Sequence, residues 1–100
     1  MDSFGDIIRA EREKRNLYLR QVAAAMEIDQ ALISKFEKGD RKPTKEQVEK
    51  FAEYFQIDKA TLITVWLSDK IVYTILDEEF AENALKVAEK RIKYLKKHDK

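Results

Sequence analysis

Residues 28–43 read IDQALISKFEKGDRKP. Asp29 is a good helix N-cap, and Ile33 and Phe36, three apart, share one face of the helix it opens. Gln30, Ala31, Ser34 and Lys35 then occupy the outward positions. An amide that both donates and accepts, a methyl, a hydroxyl and an ammonium suit a surface that carries hydrogen-bonding groups and negative charge. The chemistry open to these residues is recognition rather than bond-breaking. Between Gln30 and Lys45 five basic side chains (Lys35, Lys38, Arg41, Lys42 and Lys45) stand against two acidic ones, Glu37 and Asp40. The whole chain carries only +1 over 100 residues, so any basic footprint is local to this window. A second basic run, from Lys86 to Lys97 with Glu89 as its one acid, falls at the end of a helical segment. The helix dipole favours cations there, which gives that run a structural account first.

The elements that must position this stretch read as helices throughout, because every long segment has a helical apolar period and neither glycine nor the proline sits in an alternating strand pattern. Ser3 with Asp6 starts a first helix that presents Phe4, Ile7, Ile8 and part of Arg12 inward and ends near Asn16. A second runs from about Tyr18 to Met26 with Val22, Ala23 and Met26 inward, followed by a tight turn through Glu27 and Ile28. The third is the quoted helix, closed by Gly39. Thr44 and Gln47 open a fourth, in which Val48, Phe51, Ala52 and Phe55 form the clearest amphipathic stripe.

Asp58 caps a fifth helix that is apolar all round, and such a helix must be covered on every side. After Asp77 a sixth carries Ala81, Leu85, Ala88, Ile92 and Leu95 at alternating spacings of four and three, a seam of about two heptads. The expected fold is all-α: a four-helix bundle over residues 1–57, then a two-helix hairpin over 58–100 that packs on itself and on a second copy. Leu62, Trp66, Tyr73, Leu85, Ile92 and Leu95 are the expected dimer interface.

Several classes fall away. Without cysteine there is neither a disulfide framework nor a thiolate metal site. The opening MDSFGDIIRAEREKR lacks the basic start and unbroken apolar run of a secretion signal, and no apolar run approaches the roughly 20 residues of a membrane span. The expectation is a cytoplasmic protein. No glycine-rich phosphate loop or nucleophile elbow occurs, and His98, the only histidine, has no second ligand of its kind. No enzyme, cofactor, metal or small-molecule substrate is expected.

Two short helices about three residues apart, the second with a polar outer face and flanked by basic loops, form the arrangement that places a helix in the major groove of DNA. The stretch LYLRQVAAAMEIDQALISKFEKGDRKPTKEQVEKFAEYF resembles the XRE-type helix-turn-helix domains of phage repressors, Cro and many bacterial regulators, the lambda-repressor-like bundle. Ala23, Ile28, Ile33, Ser34, Glu37, Gly39, Arg41 and Pro43 fall at matching positions, and the likeness covers roughly Phe4 to Ile57. Taken alone, Gln30, Ser34 and Lys35 are the solvated face of any surface helix. The Glu-x-Gly-x-Arg-x-Pro pattern that follows them weighs against that plain reading.

The resemblance implies that Gln30, Ala31, Ser34 and Lys35 face base edges of double-stranded DNA. It also implies that Tyr18, Arg20, Lys38, Arg41, Lys42 and Lys45 hold phosphates. Arg12 and Glu37 match a structural ion pair between the first helix and the end of the third. Three positions depart from the pattern: Leu19 replaces a phosphate-touching Gln, Glu27 a turn glycine, and Leu32 a small polar residue. The expected function is a bacterial transcriptional repressor that binds a near-palindromic operator as a homodimer. The alternative is a protein-interaction module or antitoxin-like partner that uses the helical extension and binds DNA weakly.

Overall fold

N-cap side chains that accept from a backbone amide start four of the six helices. In α1 (Phe4–Lys14) the Ser3 hydroxyl accepts from the Asp6 amide at 3.1 Å while the Asp6 carboxylate accepts from the Ser3 amide at 3.2 Å. Thr44 and Gln47 repeat this at α4 (Lys45–Phe55), with 3.2 and 2.9 Å. Asp29 opens α3 (Gln30–Lys38) by accepting from the Ala31 amide at 3.0 Å. Asp58 opens α5 (Lys59–Ile75), accepting from the Thr61 amide at 3.0 Å and hydroxyl at 2.8 Å. Those two bonds hold the Asp58 carboxyl below the usual carboxylate range. The remaining helices are α2 (Leu19–Met26) and α6 (Ala81–His98). The computed structural model describes residues 2–98, and among them there is no strand; the protein is all-α.

The core of the first unit forms where the four apolar stripes converge. Phe51 lies at its centre, edge-on to Phe4 and Phe36 with ring centroids 5.6 and 6.2 Å away, and stacked near Phe55 at 6.3 Å. Ile8, Val22, Ala23, Met26, Ile33 and Val48 fill the space around it. Arg15 closes the C-terminal end of α4, donating from Nη2 to the Phe55 carbonyl at 2.7 Å.

The start of α5 belongs to this unit. Leu62 and Trp66, one turn apart, are 0% and 7% exposed. The Trp66 indole N–H donates to the Pro43 carbonyl at 3.0 Å, and Lys70 Nζ stands 3.7 Å from the Trp66 ring centroid. Three residues past the tryptophan, the Asp69 carboxylate accepts from the Phe4 amide at 2.9 Å and so caps α1 from outside. The first compact unit therefore extends to Lys70 and the second begins at Ile71, later than the loop after Ile57 where the sequence suggests a boundary. The physical reason is that α1 to α4 leave one side of the Phe51 cluster open, and Leu62 and Trp66 close it. These two residues, grouped by the sequence with a dimer interface, are placed in the core.

The second unit comprises the last turn of α5, a turn around residues 76–80 and α6. The turn is tied by Glu78 N to Ile75 O at 2.9 Å and Ala84 N to Phe80 O at 2.9 Å. Where the sequence expects a hairpin packed on itself, α6 buries none of its residues. Tyr73, Leu85, Ile92 and Leu95, grouped by the sequence with a dimer interface, are all exposed.

Candidate nucleic-acid interface

The helix α3 is held by its inner face and by its far end, which leaves its first turn outward. Ile33 is fully buried and Phe36 nearly so, while Gln30, Ala31 and Lys35 are exposed and Ser34 is half-buried. Leu32 is half-buried against the core edge, which accounts for an apolar residue at that position.

Two contacts from α1 grip the other end. Arg12 forks onto Glu37, with Nε to Oε2 at 2.7 Å and Nη2 to Oε1 at 3.0 Å, and its Nη1 donates to the Leu17 carbonyl at 3.0 Å. The hydrogen bond to Glu37 raises the guanidinium above its ordinary range, with burial opposing, so this charge persists throughout the pH range of a folded protein. Gly5, in the first turn of α1, faces the carbonyls that end α3. A Cβ built there would lie 2.7 Å from the Glu37 oxygen and closer still to that of Phe36. Only a residue without a side chain lets the two helices approach this closely.

The turn between α2 and α3 consists of Glu27, Ile28 and Asp29. Glu27 is left-handed, with φ 57° and ψ 41°, and the Ile28 amide returns to the Ala23 carbonyl at 3.1 Å. Ala23 is buried at this approach, where a larger side chain would force α2 and α3 apart. A non-glycine left-handed residue costs roughly 1–2 kcal/mol. Glu27→Gly should therefore raise stability by about 1 kcal/mol, a thermal midpoint gain of about 4–8 °C by calorimetry. No gain would mean that the glutamate side chain compensates for the strain.

After α3, Gly39 takes φ 81° and the Asp40 amide returns to the Lys35 carbonyl at 2.9 Å. The loop is fixed again at Pro43, whose carbonyl receives the Trp66 N–H, and at the Thr44 cap. Between these anchors Arg41 and Lys42 are exposed, as are Lys38 before the loop and Lys45 after it. Tyr18, which precedes α2, is exposed with the Arg20 guanidinium 4.6 Å from its ring centroid. The base-facing and phosphate-facing candidates thus all lie on the surface of the first unit. Three features that hold them escape a reading of the sequence: Gly5 against α3, Trp66 on Pro43, and Asp69 on the α1 N-terminus.

The geometry defines a helix-turn-helix bundle: a braced second helix, a tight left-handed turn, and a polar first turn presented beside a basic loop. A helix-turn-helix family model matches residues 8–62. The chain belongs to this family, in its XRE type, and is a DNA-binding transcription regulator. The family is a regulatory one, not a family of enzymes. Comparison with curated proteins and with solved structures gave no match. Among the described residues no helix is long and apolar enough to cross a membrane, and no cluster of candidate ligands could hold a metal ion.

Proposed function

We propose that the protein is a sequence-specific repressor of bacterial genes, acting in the cytoplasm as a homodimer with α3 of each protomer in a major groove. The observation that carries the reading is the division within α3. Ile33 and Phe36 are committed to the core, while Gln30, Ala31 and Lys35 are left outward at the end the core does not cover. In that orientation Gln30 pairs with an adenine edge, Lys35 donates to guanine acceptors, Ser34 contacts either, and the Ala31 methyl meets a thymine methyl. Tyr18, Arg20, Lys38, Arg41, Lys42 and Lys45 set register on phosphates without reading sequence. Two-fold pairing calls for a near-palindromic operator with half-site centres roughly 34 Å apart.

Selection of bound sites from a random duplex pool, followed by titration at several salt concentrations, tests this. Lys35→Ala should cost about 1–3 kcal/mol on the selected site and relax specificity at one base position. Arg41→Ala should weaken all duplexes alike and reduce the salt slope by about one. A protein that binds no duplex at low salt would sink the reading. The second reading, a protein-interaction module of antitoxin-like character, is favoured by the uncovered apolar face of α6. It gains if duplex binding is weak and unselective while α6 substitutions abolish function.

A further inference from the structure

The uncovered seam on α6 carries information about its partner. An amphipathic helix of 18 residues with no buried side chain is marginal in water, and two heptads alone are short for a stable pair. Ile71, at the end of α5, lines the same open groove as Leu85, Ala88 and Ile92, so a helix seated on the seam would cover that residue as well. Leu85 and Ile92 take the a positions of the repeat, and Ala81, Ala88 and Leu95 the d positions. The seam is then flanked by Glu82, Glu89 and Lys96 on one side and by Ala84, Arg91 and His98 on the other.

Two copies of this helix can meet in two directions, and the flanking charges distinguish them. In a parallel pair Arg91 of each protomer falls beside Lys96 of the other, two repulsions with no attraction to offset them. In an antiparallel pair with Leu85 against the partner's Leu95, Glu82 of each protomer falls beside the partner's Lys96, giving two attractions. The same register sets Glu89 beside its own copy and Arg91 beside its own copy. Lys86 and Lys93, three residues before and four after Glu89 on its own helix, offset the first of these contacts. Arg91 keeps a single repulsion. We infer that α6 pairs antiparallel with α6 of a second copy, in the register that joins Glu82 of each protomer to Lys96 of the other. This pairing rests on the homodimer reading and specifies its geometry: an isologous interface with the two-fold axis across α6 near Lys90.

The full chain should be examined by sedimentation equilibrium, with the melting of the first unit followed in parallel to confirm folding. Lys96→Glu turns two attractions into two repulsions and should raise the dimer dissociation constant about tenfold. The charge swap Glu82→Lys with Lys96→Glu should return it to the wild-type value. A parallel pair gives the opposite sign, because Lys96→Glu would then face Arg91 and tighten the dimer. Wild-type dimer with Lys96→Glu unchanged or tightened, or weakened without rescue by the swap, overturns the antiparallel register and leaves the homodimer standing. Wild-type monomer at about 100 µM overturns both.

Discussion

Glu37→Ala should lower the stability of the protein by about 3–5 kcal/mol, because it leaves the Arg12 guanidinium in a largely buried position with no carboxylate. The side chains of the pair are 15% and 7% exposed, so solvent screening does little to soften the loss. One kcal/mol shifts the midpoint of a domain this size by about 4–8 °C, so thermal unfolding should fall by about 12 °C or more. The direction of the pH dependence is fixed by the raised Arg12 pKa. A folded pKa above the unfolded one contributes stability below the unfolded value and loses it only in strong alkali. The arginine side of the pair therefore adds no titration between pH 5 and 9. Glu37→Gln keeps the shape and one acceptor and should lose less than Glu37→Ala. Replacing both partners, Arg12→Met with Glu37→Leu, should recover most of the loss, except for the donor that Arg12 gives the Leu17 carbonyl. If the double variant is no more stable than Glu37→Ala, packing around the pair rather than the unpaired charge sets the cost.

The same pair was visible in the sequence only through resemblance, and this illustrates how the fold could be read. The caps of α1, α3, α4 and α5 were legible because each joins residues two or three apart, so spacing alone specifies the bond. The inward faces of α1 to α4 were legible for a similar reason, since one period marks one stripe. Helix α5 was not. Being apolar all round, it gives no local sign of which residues meet the chain's own core, and Leu62 and Trp66 read as well for an interface as for the place they occupy. The Trp66 bond to Pro43 and the Asp69 bond to Phe4 span 23 and 65 residues, and no pattern along the chain encodes them. At the candidate interface the outward positions of α3 followed from its inward ones. The left-handed backbone of Glu27 stood against the residue preference of that conformation, so only the resemblance suggested it. The seam of α6 was readable as a seam, whereas its exposure in the folded chain was not.

Gly5 is the position whose silence in the sequence conceals the second large effect. Gly5→Ala should destabilise the protein by about 3 kcal/mol, the upper part of the range for overpacking, because the added carbon meets the backbone carbonyls of Phe36 and Glu37. A flexible side chain could swing away at little cost, but the Phe36 and Glu37 carbonyls cannot move without moving the end of α3. The Gly39 amide bonds to that same Phe36 carbonyl at 3.2 Å, and Arg12 fixes the Glu37 side chain from the other side. Relief must come from displacing α1, whose first turn is also held by Asp69. The strain is therefore shared between the core and the orientation of the recognition helix, and the two consequences are separable. Thermal unfolding should drop by about 12 °C or more. In addition, duplex affinity measured well below the new midpoint, where the chain is still folded, should fall. Glu27, exposed in the turn between α2 and α3, provides the control: its replacement by glycine changes backbone strain without forcing α1 from α3, and should leave affinity unchanged while raising the midpoint. Should Gly5→Ala melt like the wild type, the close approach of α1 to α3 is not a constraint on the fold, and the bracing of α3 falls to Arg12 alone.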